Sequence, residues 1–123
     1  MSPDLNLPGP DIPVIDESRM QNEFGGCPEI LAELRDLFLE HAPQLYDTLR
    51  EALVSGAAQV VADTAHSLKG ACATYGAERL TIVCKQMELA ARSSDMETAC
   101  LYRDELKKEY EAVVEAVGQL AVS

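Results

Sequence analysis

Residues 65–80 read AHSLKGACATYGAERL and hold the end of one amphipathic segment, a turn and the start of the next segment. Apolar residues recur at helical spacing before the turn, which predicts a helix over about 57–74 with one buried face. Gly76 is suited to a tight connection, because glycine accepts the left-handed backbone that ends many helices. A further helix is predicted over about 77–93. The buried stripe of the first of these two helices is Val61, Ala65, Leu68, Cys72 and Tyr75.

Three other segments have helical signals. Asp16 can cap a short helix that ends before Gly25-Gly26. Pro28 is placed to begin a long helix that extends to about Val54 and that the internal Pro43 is expected to kink. The capping box Ser94-x-x-Glu97 is expected to begin a last helix, whose apolar spacings of three and four extend to residue 120.

These segments predict an all-α fold, an antiparallel up-down four-helix bundle with an additional short N-terminal helix packed across it. No segment shows sustained alternation of apolar and polar residues, so strands are not expected. Residues 1–14 contain four of the six prolines and are predicted to be a flexible lead-in, with the bundle domain over residues 15–121.

The net charge and composition of the whole chain indicate which partners and which cellular compartment to expect. The formal net charge of −11 disfavours nucleic acid and anionic lipid as partners. No apolar run approaches the length of a membrane span, and the N-terminus lacks the features of a signal peptide. We therefore expect a cytoplasmic protein with its four cysteines reduced. Residues 66–92 hold four basic and two acidic residues, which fits either an anion-binding place or basic residues spread over solvated helix faces.

His66 lies about 100° around the helix from its buried neighbour Ala65, so its ring is expected to face solvent. Lys69 and Gly70 follow at i+3 and i+4, and Ala62 and Ala73 are expected on the same exposed face.

These residue types suit a histidine that accepts a phosphoryl group. A histidine side chain is mostly neutral at cytoplasmic pH, and neutral imidazole is a good nucleophile. Lys69 can offset the charge of the transferred group, and Gly70, with Ala62 and Ala73, leaves room for the group and a partner's loops. Glycine inside a helix costs about 1 kcal/mol relative to alanine, which suggests that Gly70 has a use. The competing interpretation is an ordinary surface histidine.

The segment His66-Ser67-Leu68-Lys69-Gly70, with the Tyr75-Gly76-Ala77 that follows, resembles the motif of the histidine phosphotransfer (HPt) domain family. The resemblance covers about residues 15–118 and includes the preceding helix, ILAELRDLFLEHAPQLYDTL at 30–49. It implies a phosphorelay protein that accepts a phosphoryl group on His66 from the aspartyl phosphate of a receiver domain and passes it to another receiver.

The resemblance also implies further properties. Glu88 occupies the family position of a residue that hydrogen-bonds the other ring nitrogen of the histidine, although a solvated surface role is an equal alternative. The protein is expected to be a phosphoryl carrier without catalytic turnover of its own, and to act as a monomer. Response-regulator receivers are the expected partners, a hybrid histidine kinase among them. No cofactor is expected on this chain, because Mg²⁺ would be bound by the receiver.

Two other functions fit parts of the same pattern. One is a kinase dimerisation domain phosphorylated from ATP, although Ala71 stands where proline is typical of that motif and no nucleotide-binding region follows. The other is a helical adaptor that binds receivers without transferring a phosphoryl group. No metal site is expected, since the four cysteines form no C-x-x-C pair and the two histidines are far apart.

Overall fold

A computed structural model describes residues 7–16 and 27–122, and all regular structure within those ranges is helical. The helices within these ranges are α1 (Pro28–Ser55), α2 (Ala58–Tyr75), α3 (Glu78–Arg92), α4 (Met96–Leu101) and α5 (Arg103–Val122). The predicted all-α class is confirmed. The short helix predicted from Asp16 to about residue 24 lies almost wholly outside the described residues and stays a prediction.

Helices that are neighbours in sequence are neighbours in the bundle. α2 packs most extensively against α3 and next against α1, and α5 closes the bundle by contacting both α1 and α3. The predicted stripe of α2 is buried in full, and Leu80, Val83, Cys84 and Met87 form the buried face of α3. The close pairing of α2 with α3 determines which side chains can meet across the two helices.

The two short connections between long helices are built around glycines. Gly56 follows α1 with φ of 77°, and Gly76 follows α2 with φ of 85°. The amide of Ala77 donates to the carbonyl oxygen of Cys72 at 2.8 Å, which closes the end of α2. This is the tight turn that the sequence predicts, and it returns α3 antiparallel along α2.

The last predicted helix differs in two ways. Its N-cap is Asp95, whose side chain accepts a hydrogen bond from the amide of Thr98, so the predicted capping box from Ser94 to Glu97 is wrong. Ser94 instead has φ of 59°, in the left-handed region. The helix is also interrupted at Tyr102, which separates α4 from α5. The predicted long helix, by contrast, is a single α1 that continues through Pro43.

The N-terminal segment, defined here as residues 7–16, contacts the helices although it has no helix of its own. Pro8 is buried, and Val14 and Ile15 pack against the hydrophobic core. The amide of Asp16 donates to the carbonyl oxygen of Gly76 at 2.7 Å. The flexibility predicted for residues 1–14 stays a prediction.

Candidate functional site

The site is centred on His66, in the middle of α2. Ala65 and Leu68 on the same helix are fully buried, whereas the side chain of His66 is 61% exposed. The ring therefore stands in solvent on the face opposite the core, as the helical spacing predicts.

One buried carboxylate on α3, that of Glu88, organises the site. Its Oε2 lies 3.1 Å from Nδ1 of His66, and its Oε1 accepts a hydrogen bond from Nζ of Lys69 at 2.8 Å. Arg92, one turn further along α3, donates to Oε2 through Nε at 2.9 Å. The predicted contact between Glu88 and His66 is present, so the alternative of a solvated surface residue is wrong.

The charge state of Glu88 determines the tautomer of the histidine. Burial raises the pKa of Glu88, but hydrogen bonds from Lys69 and Arg92 outweigh it, together with the charges of Lys69 and His66, so that the pKa falls from 4.5 to about 2. An ionised carboxylate can only accept hydrogen bonds, so Nδ1 of a neutral His66 must carry the proton. Nε2 then has the free lone pair.

The basic residues around His66 are largely ion-paired. Lys69 and Arg92 both bind Glu88, and Arg92 also lies 3.9 Å from Asp63. Arg79 belongs to a different cluster, because its guanidinium binds Glu109 of α5. The local excess of positive charge in residues 66–92 is therefore not a continuous positive surface. Arg92 was not selected from the sequence, although its position four residues after Glu88 on a helix was the available signal.

Space beside the histidine is provided by Gly70. A Cβ atom built at Gly70 would meet no atom within 4 Å, so the position faces open space. Ala73 is partly exposed on the same side. Ala62 is only 2% exposed and belongs to the core, so its predicted place on the exposed face is wrong. Because α2 packs against both α1 and α3, its buried face is wider than a single row of side chains.

A shallow groove of about 200 Å³ between α1 and α2 adjoins this open position. Leu37 at its rim is half exposed, and Phe38 in its wall stacks on Tyr75 with ring centroids 5.2 Å apart. The groove is lined by Leu34, Leu37, Phe38, His41, Gly70, Ala71, Thr74 and Tyr75. An apolar surface therefore continues from the glycine beside the histidine.

The described residues give little support for a metal site or for a cysteine nucleophile. Within them, no group of three or more His, Cys, Asp and Glu side chains could hold a metal ion. Cys72 and Cys84 are fully buried, and the hydrogen bond of the Cys84 thiol to Cys72, together with burial, raises the pKa of that thiol well above its usual value. Cys84 is therefore a protonated core residue rather than a nucleophile, and Cys72 is packed in the same core. None of the described helices is both long enough and apolar enough to cross a membrane.

Comparisons with known proteins agree with this geometry. The family model of the Hpt domain matches residues 33–116, more than half of the chain, and this range includes His66, Lys69, Gly70 and Glu88. No curated protein sequence matches the chain.

Two solved structures are similar over most of their length. Histidine-containing phosphotransfer protein B (HptB) from Pseudomonas aeruginosa PAO1 is 27% identical, with a TM-score of 0.80 over 87% of this chain and 93% of that chain. The histidine-containing phosphotransfer protein ZmHP2 from maize is 24% identical, with a TM-score of 0.70 over 88% and 85% of the two chains, and supports the fold alone. Since the family model covers the bundle and the residues around its exposed histidine, this chain belongs to the Hpt domain family.

Proposed function

We propose that this protein is a histidine phosphotransfer protein of a phosphorelay, in which His66 accepts a phosphoryl group from the aspartyl phosphate of one receiver domain and passes it to another. The observation that carries the proposal is the solvent-exposed ring of His66 whose Nδ1 is bound by the ionised Glu88. Membership of the Hpt domain family supports the same function.

The transfer follows from the orientation of the ring. The lone pair of Nε2 attacks phosphorus, an N–P bond forms, and the bond from phosphorus to the aspartyl oxygen breaks, releasing the receiver's carboxylate. The ring then carries a positive charge with a proton on Nδ1, next to the Oε2 atom of Glu88. A carboxylate in that position stabilises the charge as it develops. The reverse displacement by a second receiver's aspartate regenerates neutral His66.

Lys69 and Gly70 have separate roles in this proposal. The ammonium of Lys69 lies on the same face as His66 and can attract the phosphoryl oxygens while it remains near Glu88. Gly70 leaves open the space through which the group arrives, with Ala73 beside it. The small side chain of the buried Ala62 contributes to packing, not to docking.

The groove between α1 and α2 is the proposed docking surface for the receiver. It is apolar, it begins at Gly70 next to the reacting ring, and the partly exposed Leu37 lies at its rim. An apolar contact of this kind holds a partner without requiring a positive surface, which suits the ion-paired state of Lys69 and Arg92.

Several properties of the wider system belong to the same proposal. The donor is a receiver of a hybrid histidine kinase, Mg²⁺ is bound by the receiver, and this chain acts in the cytoplasm as a monomeric carrier without turnover of its own.

The decisive experiment is transfer of labelled phosphoryl from a phosphorylated receiver to the purified protein. The wild type is expected to gain one acid-labile phosphoryl group per chain. Phosphorus and nitrogen NMR spectra should show that this group is bonded to Nε2. His66→Gln should gain none while its circular dichroism is unchanged. The matched control is His41→Gln, because His41 is the other histidine of the chain and should leave the stoichiometry unchanged.

The same assay distinguishes the alternatives. Label that appears from ATP alone would indicate a kinase dimerisation domain. A receiver that binds the protein but never donates its phosphoryl group would indicate a non-transferring adaptor. Acid-labile label retained by His66→Gln would refute the assignment of the phosphorylated residue.

A further inference from the structure

The N-terminal segment lies against the end of the bundle that holds the turn between α2 and α3. Val14 and Ile15 pack on the core, and the amide of Asp16 donates to the carbonyl oxygen of Gly76 in the turn between α2 and α3. The segment therefore contacts the bundle through both apolar side chains and backbone groups.

The segment also contacts a buried ion pair, which is formed by Arg79 and Glu109. Glu109 of α5 is 1% exposed, and its two carboxylate oxygens accept hydrogen bonds from Nε of Arg79 at 3.1 Å. The same guanidinium donates through Nη1 to the carbonyl oxygens of Gly9 and Ile12, at 2.6 and 3.1 Å. The two carbonyls belong to one turn, because the amide of Ile12 also donates to Gly9 at 3.1 Å.

The hydrogen bonds from Arg79 offset the cost of burying the carboxylate of Glu109. A buried carboxylate needs its partner and hydrogen bonds to offset the loss of water. Arg79 supplies Glu109 with them through Nε and Nη2, and the turn at residues 9–12 accepts hydrogen bonds from the remaining nitrogen, Nη1, of the same guanidinium. The planar fork of arginine suits this simultaneous binding of a carboxylate and two carbonyls, whereas a lysine has one ammonium group only.

We infer that Arg79 and Glu109 form an intramolecular binding site for the turn at residues 9–12, and that this site holds the N-terminal segment as an ordered strap across α3 and α5. Arg79 and Glu109 lie inside the range that the family model matches, but the strap lies before that range begins. Family membership therefore does not account for the contact. For residues 7–14 the inference replaces the expectation of a flexible lead-in that their prolines suggest.

The test is the backbone order of the segment in the full chain, measured by nitrogen-15 relaxation at the amides of Asp11, Ile12, Val14 and Ile15. In the wild type the order parameters should be close to the value of about 0.85 found for rigid backbone. In the double variant Arg79→Met with Glu109→Met they should fall below about 0.6, the range of flexible backbone. Apolar residues in place of a buried ion pair commonly preserve the fold.

The matched control is Arg50→Met, which breaks an exposed ion pair with Asp47 and should leave the order of the segment unchanged. Low order parameters in the wild type would overturn the inference. So would a folded double variant whose segment stays ordered, because apolar packing would then suffice. If the double variant does not fold, Arg79→Lys decides in the same way: a segment that stays ordered refutes the site, and one that is released supports it.

Discussion

Among the described residues two glutamates are buried, Glu88 on α3 and Glu109 on α5, and they differ in what surrounds them. Glu88 is bound by Lys69, by Arg92 and by the exposed ring of His66. Glu109 is bound by Arg79, whose other hydrogen bonds go to backbone carbonyls of the N-terminal segment. Both carboxylates are held by arginine, but only Glu88 has a partner that can react with something from solvent.

The difference shows how a buried charge can serve either structure or chemistry. The side chain of Arg79 is 15% exposed, and its guanidinium binds both the carboxylate of Glu109 and the carbonyl oxygens of Gly9 and Ile12. The side chain of Arg92 is 45% exposed, and the ring of His66 projects into water. Glu109 therefore belongs to a closed contact that joins segments of the chain, whereas Glu88 orients a nucleophile at the surface.

The largest expected effect is on stability, and it separates the two arginines. Arg79→Ala should lower the free energy of unfolding by about 3–5 kcal/mol, because it leaves Glu109 buried without its partner. Arg92→Ala should lower it by about 1 kcal/mol or less, because the pair is partly exposed and Glu88 keeps Lys69. Urea denaturation of both variants measures the difference. Equal losses would mean that the two clusters do not differ in the way described.

An intermediate effect is expected from Glu88→Gln. Phosphoryl transfer to His66 should slow by about tenfold, equivalent to about 1.4 kcal/mol in the barrier. A neutral amide does not stabilise the charged ring, and its NH₂ group permits the wrong tautomer of the histidine. Single-turnover transfer from a phosphorylated receiver gives the rate. An unchanged rate would show that Glu88 has no part in the transfer.

The same variant should also change the response to acid. The pKa of Glu88 is lowered to about 2 from 4.5, so its ionised form stabilises the folded state above about pH 4.5. That contribution is lost as the pH falls from about 4.5 to about 2. Over this window the wild type should lose about 1–2 kcal/mol more than Glu88→Gln, a figure reduced because solvent screens the exposed partners His66 and Arg92. Parallel curves for the two proteins would contradict the assigned ion pairs.

The smallest expected effect has opposite signs for stability and for function. Gly70→Ala should raise the free energy of unfolding by up to about 1 kcal/mol, because alanine is the better helix former and its Cβ meets no atom. The same methyl group should slow phosphoryl transfer, since it enters the space beside the ring. Gly118→Ala in α5 is the matched control, because it also faces open space but lies outside the site. Transfer that slows equally in both variants would argue against a role for Gly70 in access.

Much of the site could be predicted because its residues lie on regular helices. The spacing of His66, Lys69 and Gly70 on α2 is enough to place all three on one side. Ala62 was misplaced, because a single-helix projection does not show that α2 is covered by two neighbours rather than one. The capping residue of α4 was also missed, since Ser94 and Asp95 are both good caps and only the backbone decides between them.

The contacts of the two buried glutamates, Glu88 and Glu109, were harder to predict from the sequence. Glu109 follows Leu106 by three residues and precedes Val113 by four, so its place on an apolar face was a signal of burial. Nothing in that spacing identifies Arg79, 30 residues earlier, as its partner. Likewise, the excess of basic over acidic residues at positions 66–92 suggests a positive surface. The pairing of Lys69 and Arg92 with Glu88 removes most of that positive charge.

The amino-acid sequence by itself determined α1, α2 and α3, the turn at Gly76 and the exposed histidine, because these depend on local spacing and backbone preference. Only the tertiary structure decided which charges meet across helices, and with them the proton position on His66 and the attachment of the N-terminal segment. The physical reason is that an ion pair depends on distances of about 3 Å between side chains that are far apart in sequence.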